Sequence, residues 1–249
     1  FRTLRYDNRD VGLSTRFEAA GVPNLKWMFV KAAIGLPVRP AYTLADMASD
    51  AIALLGQLGV DRAHIVGASM GGMIVQHIAA RFPERVLSLT SIMSTTGNRR
   101  LPRAQKEAMR ALANRPMGGD AEEMIAYSVR AARVIGSPAY PPDEVRLQRR
   151  VRADYERGFY PQGVARQMAA IIADGDRRPM LKEIRTPTLV IHGEDDPLVP
   201  LAGGHDTAEN IAGARLITIP GMGHDLPLAL VDTLTGAIAD HAESAGVAA

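Results

Sequence analysis

The chain has 249 residues, of which 47% are hydrophobic and 22% are charged, a composition typical of a folded globular protein with a sizeable core. Its formal net charge is only +2, and no dense basic run is interleaved with aromatic residues, so we expect no nucleic-acid partner. The absence of cysteine excludes disulfides and thiolate metal sites. Because no apolar run reaches the roughly 18 residues of a membrane span and no signal peptide opens the chain, we expect a soluble cytoplasmic protein without a membrane partner.

The first half of the chain alternates between helix and strand patterns. The first predicted helix, over 43–58, has Thr43 as its candidate N-cap and Gly59 as its candidate C-cap. Alternating helices and strands favour a mainly parallel sheet with helices on both faces. The predicted elements are a helix over 43–58, a strand over 63–68, a helix over 70–82 and a strand over 85–93.

The same alternation returns at the end of the chain. It predicts the second half of the same α/β sheet. The predicted elements there are a strand over 188–193, a helix over 203–212, a strand over 215–220 and a helix over 226–244.

Residues 97–183 interrupt the alternation with helical patterns only. We interpret them as an inserted helical cap, and residues 1–96 and 184–249 as the α/β core. The insert is rich in arginine, which favours solvated helix faces over a site for anionic ligands. Its predicted helices lie near 103–113, 120–135, 142–156 and 161–173.

The chain starts at Phe1, and residues 1–10 look like the second half of a strand followed by a polar turn. We expect the core to be incomplete at this end, with an unpaired strand edge. Either a missing N-terminal segment or a second copy of the chain, as a homodimer, would then cover that edge.

Ser69 lies between two glycines in the stretch IVGASMGGM, where a predicted strand meets a predicted helix. A serine on such a sharp turn is typical of a nucleophile, and the turn needs small residues two positions to either side. The helix directs its first N–H groups toward an anion that forms beside Ser69, so the Met70 N–H is a candidate oxyanion donor. The alternative is an ordinary turn serine.

A serine nucleophile needs a base, and the base needs an acid that orients it. His64 and His192 lie in strand patterns and His77 and His241 in helices, where structural roles are the better interpretation. His205 lies at the start of a predicted surface helix, where a structural role is again the better interpretation. His224 lies in a glycine-rich loop after a strand, so it is the candidate base.

The acid is expected in the loop after the preceding strand. That loop contains Glu194, Asp195 and Asp196. Asp196, which Pro197 holds extended, is preferred over Asp195.

The motifs Gly67–Gly71, Gly193–Asp196 and Gly223–His224, in the order Ser, Asp, His, resemble the α/β-hydrolase family. The resemblance covers essentially the whole chain. It implies the α/β-hydrolase fold with a helical cap, no cofactor, no metal, and ester hydrolysis through an acyl-enzyme. It assigns Ser69, Asp196 and His224 as a catalytic triad, with Asp196 at the family's G-x-x-D position.

Residues 6–14, YDNRDVGLS, resemble the turn after that family's fourth strand, usually D-x-R-G-x-G-x-S. Asp10 replaces the usual glycine, as in the branch that resembles aclacinomycin methylesterases. The family's first three strands, and the loop with a second oxyanion donor, would lie upstream of Phe1.

The sequence therefore predicts a carboxylesterase-type serine hydrolase that acts on a small-molecule ester. Hydrolysis of carbon–carbon bonds and cofactor-free perhydrolysis are alternatives on the same triad, and a non-catalytic binding module on the same fold is a third. An apolar substrate pocket is a further hypothesis, although core packing explains most methionines. Its candidate lining residues are Met70, Met73, Met93, Met117 and Met168.

Overall fold

The structure is a computed structural model that describes residues 1–113, 116 and 118–247. Two compact units are present. The first comprises the described residues within 1–47, 115–129 and 143–175, and the second those within 48–114, 130–142 and 176–247. The division into a core and a cap at residues 97 and 183 stays a prediction.

The described residues form ten α-helices and four β-strands. The helices are α1 (Leu25–Ala33), α2 (Leu44–Gln57), α3 (Met70–Arg81), α4 (Lys106–Ala113), α5 (Ala121–Ile135), α6 (Glu144–Gly158), α7 (Pro161–Asp174), α8 (Arg178–Leu181), α9 (Ala202–Glu209) and α10 (Val231–Val247). The strands are β1 (Ala63–Ala68), β2 (Val86–Ile92), β3 (Thr188–Gly193) and β4 (Arg215–Ile219). Short 3₁₀ helices span Glu18–Ala20, Pro83–Arg85 and Leu228–Leu230.

The four strands form one parallel sheet in the second unit, in the order β1, β2, β3, β4. Every residue of β3 is buried, as expected for a strand of a parallel sheet covered on both faces. Helix α3 packs on β1 and β2, and α10 packs on β2. The predicted α/β architecture is confirmed.

A compact apolar cluster joins the sheet to the last helix. Leu189 and Ile191 of β3 are fully buried there against Leu234 of α10. Burial of each such aliphatic side chain stabilises the fold by about 1.5–3 kcal/mol. This cluster fixes the strand ends from which the loops of the candidate site emerge.

Helix α2 has the predicted caps. The Asp46 N–H donates to Thr43 Oγ1, and the Thr43 N–H donates back to Asp46 Oδ2, which together form a capping box. At the other end Gly59 has φ 67°, a conformation that glycine adopts without steric cost.

The expected strand within residues 1–10 is wrong, because residues 1–8 have no regular secondary structure. A strand exists only as part of a hydrogen-bonded ladder, and the described residues bring no strand beside this segment. The polar turn that follows does form. Asp7 Oδ2 accepts the Leu13 N–H, and the Ser14 hydroxyl donates to the Asp7 carbonyl.

A buried ion pair links two segments of the first unit. Asp10 has φ 66°, and both of its carboxylate oxygens accept hydrogen bonds from Arg166 of α7, over 2.7 and 2.9 Å. Both side chains are essentially inaccessible. The Phe17 N–H also donates to Asp10, and Arg166 donates to the Tyr160 hydroxyl. The residue that replaces the family's glycine therefore anchors the turn to a helix.

The four helices predicted between 97 and 183 form as α4 to α7. No helix is predicted from the sequence at 25–33, where α1 forms. Asn24 is its N-cap, and the Asn24 side chain accepts the Trp27 N–H. Across residues 1–113, 116 and 118–247, none of the helices combines the length and the apolar character that crossing a bilayer requires.

Candidate active site

Ser69 occupies the sharp turn between β1 and α3. Its φ of 55° is rare for a residue other than glycine and costs of order 1–3 kcal/mol, so the surrounding contacts must hold it. The Ser69 N–H donates to the Ile92 carbonyl at the end of β2. The Ser94 hydroxyl donates to the Ser69 carbonyl over 2.9 Å. The end of the neighbouring strand thus locks the serine in place.

The two glycines that flank Ser69 are not equivalent. A Cβ on Gly67 would lie 2.2 Å from the Gly71 carbonyl oxygen, so only glycine fits there. A Cβ on Gly71 would meet no atom of the described residues within 4 Å. The expected need for small residues on both sides therefore holds at Gly67 and is wrong at Gly71, because the crowding arises from the Gly71 backbone.

Ser69, His224 and Asp196 form one hydrogen-bonded chain. The distance from Ser69 Oγ to His224 Nε2 is 2.9 Å, and that from His224 Nδ1 to Asp196 Oδ2 is 2.7 Å. A carboxylate only accepts, so the imidazole proton lies on Nδ1, and Nε2 is free to accept the Ser69 hydroxyl proton. Asp196 and His224 are buried, at 5% and 8% exposure, which strengthens their electrostatic interaction.

Asp196 is held by its own loop. Its Oδ1 accepts the N–H groups of Leu198 and Val199, which leaves Oδ2 for His224. Fully buried His192 hydrogen-bonds through Nε2 to the Val199 carbonyl over 2.8 Å and lies 3.7 Å from Asp196 Oδ2. Burial lowers the pKa of His192, although the Val199 carbonyl and the Asp196 charge oppose this effect. His192 is therefore a neutral support of the loop.

The other two acidic candidates have separate partners. Asp195 Oδ2 accepts the Gly221 N–H over 2.9 Å, and Glu194 accepts the Thr218 hydroxyl. Both side chains are exposed. Asp196 is the member of the three that contacts His224.

The remaining histidines lie in structural surroundings. His64 bonds to the Ser88 hydroxyl, and His241 lies 3.2 Å from the Leu89 and Pro187 carbonyls. His77 is buried in α3, and His205 is exposed on α9.

Met70 is the first residue of α3, directly after Ser69. The N–H groups of a helix's first turn have no partner within the helix, which fits an oxyanion donor. That role stays a prediction. Of the proposed pocket methionines, Met73 and Met93 are buried in the second unit, whereas Met117 lies outside the described residues. No group of three potential metal-ligating side chains occurs in the described part of the chain.

Two hydroxyl groups that support the candidate site are not predicted from the sequence. Ser94 bonds to the Ser69 carbonyl, and Ser137 accepts the N–H of Gly223, next to His224. Ser94 follows the end of a predicted strand, where loops carry function, and this is a weak signal. Ser137 lies 87 positions before His224 and carries no local signal.

The model of the alpha/beta hydrolase fold family matches residues 1–228. Rhodomycin D methylesterase DauP of Streptomyces sp. (strain C5) is 30% identical, over 98% of this chain and 82% of the relative. Rhodomycin D methylesterase DnrP of Streptomyces peucetius is 28% identical over the same shares. The crystal structure of a hydrolase from Pseudomonas aeruginosa PA01 is similar with a TM-score of 0.64 and 29% identity, over 96% of this chain and 77% of that one. The chain belongs to the α/β-hydrolase family.

Proposed function

We propose that this chain is a serine esterase in which Ser69, His224 and Asp196 act as a catalytic triad on small carboxylic esters. The chain is a hydrolase of the carboxylesterase type. The single observation that carries the triad is the continuous path of hydrogen bonds from Ser69 Oγ through His224 to Asp196, at 2.9 and 2.7 Å. Similarity to two rhodomycin D methylesterases supports methyl esters as the first substrates to test.

The reaction follows from the positions of the protons. Ser69 Oγ attacks the ester carbonyl as its proton moves to His224 Nε2, and Asp196 stabilises the resulting imidazolium. The Met70 N–H is the proposed donor to the oxyanion. His224 then protonates the leaving alkoxide, which yields the acyl-enzyme and the alcohol. Water attacks the acyl group with His224 as base, and the carboxylic acid leaves.

The test compares hydrolysis of methyl and p-nitrophenyl esters with cleavage of a vinylogous diketone and with peracid formation. We expect esters to be preferred, and Ser69→Ala to lose about 10⁴-fold or more in kcat. Ser244→Ala, an exposed serine whose hydroxyl donates within α10, is the control and keeps the rate. Diketone cleavage or peracid formation as the preferred reaction favours those alternatives, and binding without turnover favours the non-catalytic module.

The remaining sequence expectations stay predictions. They concern the absence of nucleic-acid and membrane partners, a cytoplasmic location and a homodimer.

A further inference from the structure

The loop that carries His224 joins β4 to the last helix and is braced by residues 135–139, at the end of α5 and just after it. Two backbone bonds tie it there, from the His224 N–H to the Ile135 carbonyl over 2.7 Å and from the Ala139 N–H to the Gly221 carbonyl. All of these residues belong to the second unit. The position of the imidazole is therefore set by the end of α5 and the segment after it, as well as by β4.

The Ser137 hydroxyl fastens both neighbours of His224. It accepts the Gly223 N–H over 2.9 Å and donates to the Asp225 carboxylate in a short hydrogen bond. Ser137 is only 3% exposed, so water does not replace its hydroxyl readily. One buried hydroxyl thus fixes the backbone before His224 and the side chain after it.

The two segments are in close contact at this point. A Cβ on Gly223 would lie 2.4 Å from the Gly136 carbonyl oxygen, and one on Gly221 would lie 2.2 Å from the Ala139 Cβ. No space remains for the loop to settle closer if a hydrogen bond is lost. The segment that carries Ser137 is therefore in direct contact with the backbone of the loop that carries His224.

We propose that Ser137 is a positioning residue for His224, and this inference rests on the proposed function. Its hydroxyl touches neither Ser69 nor Asp196 and acts through the loop. Removing the hydroxyl leaves the buried Gly223 N–H without its acceptor and releases Asp225. The imidazole must hydrogen-bond two groups at once, and a misplacement of about 1 Å costs up to about 10²-fold in rate.

The test is the steady-state kinetics of Ser137→Ala on the best ester. We expect kcat to fall by about 10- to 100-fold with KM within about threefold of wild type, because the base is displaced while substrate binding remains. Ser128→Ala is the matched control, since the Ser128 hydroxyl donates to the Met124 carbonyl of its own helix. It keeps kcat. Titration with a phosphonate ester counts the competent sites in each preparation.

If Ser137→Ala does not fold, Asp225→Ala loosens the same hydroxyl from its other side. A fall in kcat of about three- to tenfold at constant KM is then expected. An unchanged kcat in either folded variant, or a raised KM with kcat retained, overturns the inference.

A second readout does not depend on turnover. We expect the proton on His224 Nδ1, which is bonded to Asp196, to give a downfield NMR resonance that His224→Ala removes and so assigns. We expect Ser137→Ala to broaden or shift this resonance, and Ser128→Ala to leave it unchanged. A wild-type chain without esterase activity refutes the proposed function alone, whereas an unchanged resonance in Ser137→Ala refutes the positioning role.

Discussion

Two adjacent carboxylates, Asp195 and Asp196, perform different tasks within one loop. Asp196 turns inward, receives two backbone N–H groups on one oxygen and presents the other to His224. Asp195 is exposed and holds the Gly221 N–H. The turn formed by residues 196–199 makes this difference, because it buries one side chain and exposes the other.

Substitution of the two aspartates by asparagine separates these tasks. Asp196→Asn puts an amide beside His224 Nδ1, disfavours the tautomer with the proton on Nδ1, and is expected to lower kcat by about 10⁴-fold. Asp195→Asn keeps an oxygen that can accept the Gly221 N–H, so we expect its kcat to stay within about tenfold of wild type. Steady-state ester hydrolysis measures both. Equal losses in the two variants would contradict the assignment.

At this scale the sequence predicts residues whose role is local. Ser69 and His224 stand out because each lies in a glycine-rich turn at the end of a strand. The partners of Ser94, Ser137 and Arg166 come from distant parts of the chain, and one sequence carries no signal for such pairs. Asp10 is noticeable as a departure from the family pattern, but its pairing with Arg166 is visible only in the structure.

The strand–turn–helix unit around Ser69 predicts an asymmetric response to added side chains. Gly67→Ala places a methyl group 2.2 Å from the Gly71 carbonyl oxygen, so the turn must open. We expect the free energy of unfolding to fall by about 1–3 kcal/mol or more, together with a loss of ester hydrolysis. Denaturant titration and kinetics measure the two effects.

Gly71→Ala is the matched control for that variant. Its methyl group meets no described atom within 4 Å and lies in the first turn of α3, where alanine is favoured over glycine by about 0.5–1 kcal/mol. Stability is expected to be equal or slightly higher. A Gly67→Ala variant as stable and active as Gly71→Ala would show that the turn at Ser69 is not crowded.

The Asp10–Arg166 pair ties the turn at residues 7–14 to α7 within the first unit. Burial by itself raises the pKa of Asp10, but hydrogen bonds from Arg166 and the Phe17 N–H outweigh it, so the pKa lies below its ordinary value of 3.8. Asp10→Asn leaves the Arg166 charge buried without its partner, at an expected cost of about 3–5 kcal/mol. Asp10→Gly relieves the positive φ, worth of order 1–3 kcal/mol, yet is also expected to destabilise.

The pH dependence of this effect has a definite sign. A carboxyl group whose pKa is lower in the folded state contributes its full stability above the unfolded pKa, and loses it as the pH falls through the folded pKa. The difference in unfolding free energy between wild type and Asp10→Asn is therefore constant above about pH 4 and shrinks below it. Urea titrations from pH 3 to pH 7 measure it. A difference that already shrinks between pH 7 and pH 5 would assign the effect to another group.

For the whole molecule, the alternation of apolar runs is enough to predict a parallel α/β sheet, because the periods of strands and helices differ. The bounds of β1 and β3 follow directly from their β-branched runs between turn residues. The segment at residues 1–8 is predicted wrongly, since its composition fits a strand but pairing depends on neighbours. Helix α1 is missed because its apolar residues surround the helix instead of forming one face.

The central claim is that Ser69 carries the acyl group, and its most direct test is to trap that group. Wild-type protein is mixed rapidly with p-nitrophenyl acetate, quenched in acid and digested with trypsin. Cleavage after Arg62 and Arg81 releases the peptide 63–81, in which Ser69 is the only hydroxyl-bearing side chain. We predict an acetylated 63–81 peptide from the wild type and none from Ser69→Ala. Ester turnover without acetylation of this peptide, with the acyl group on another one, would contradict the account.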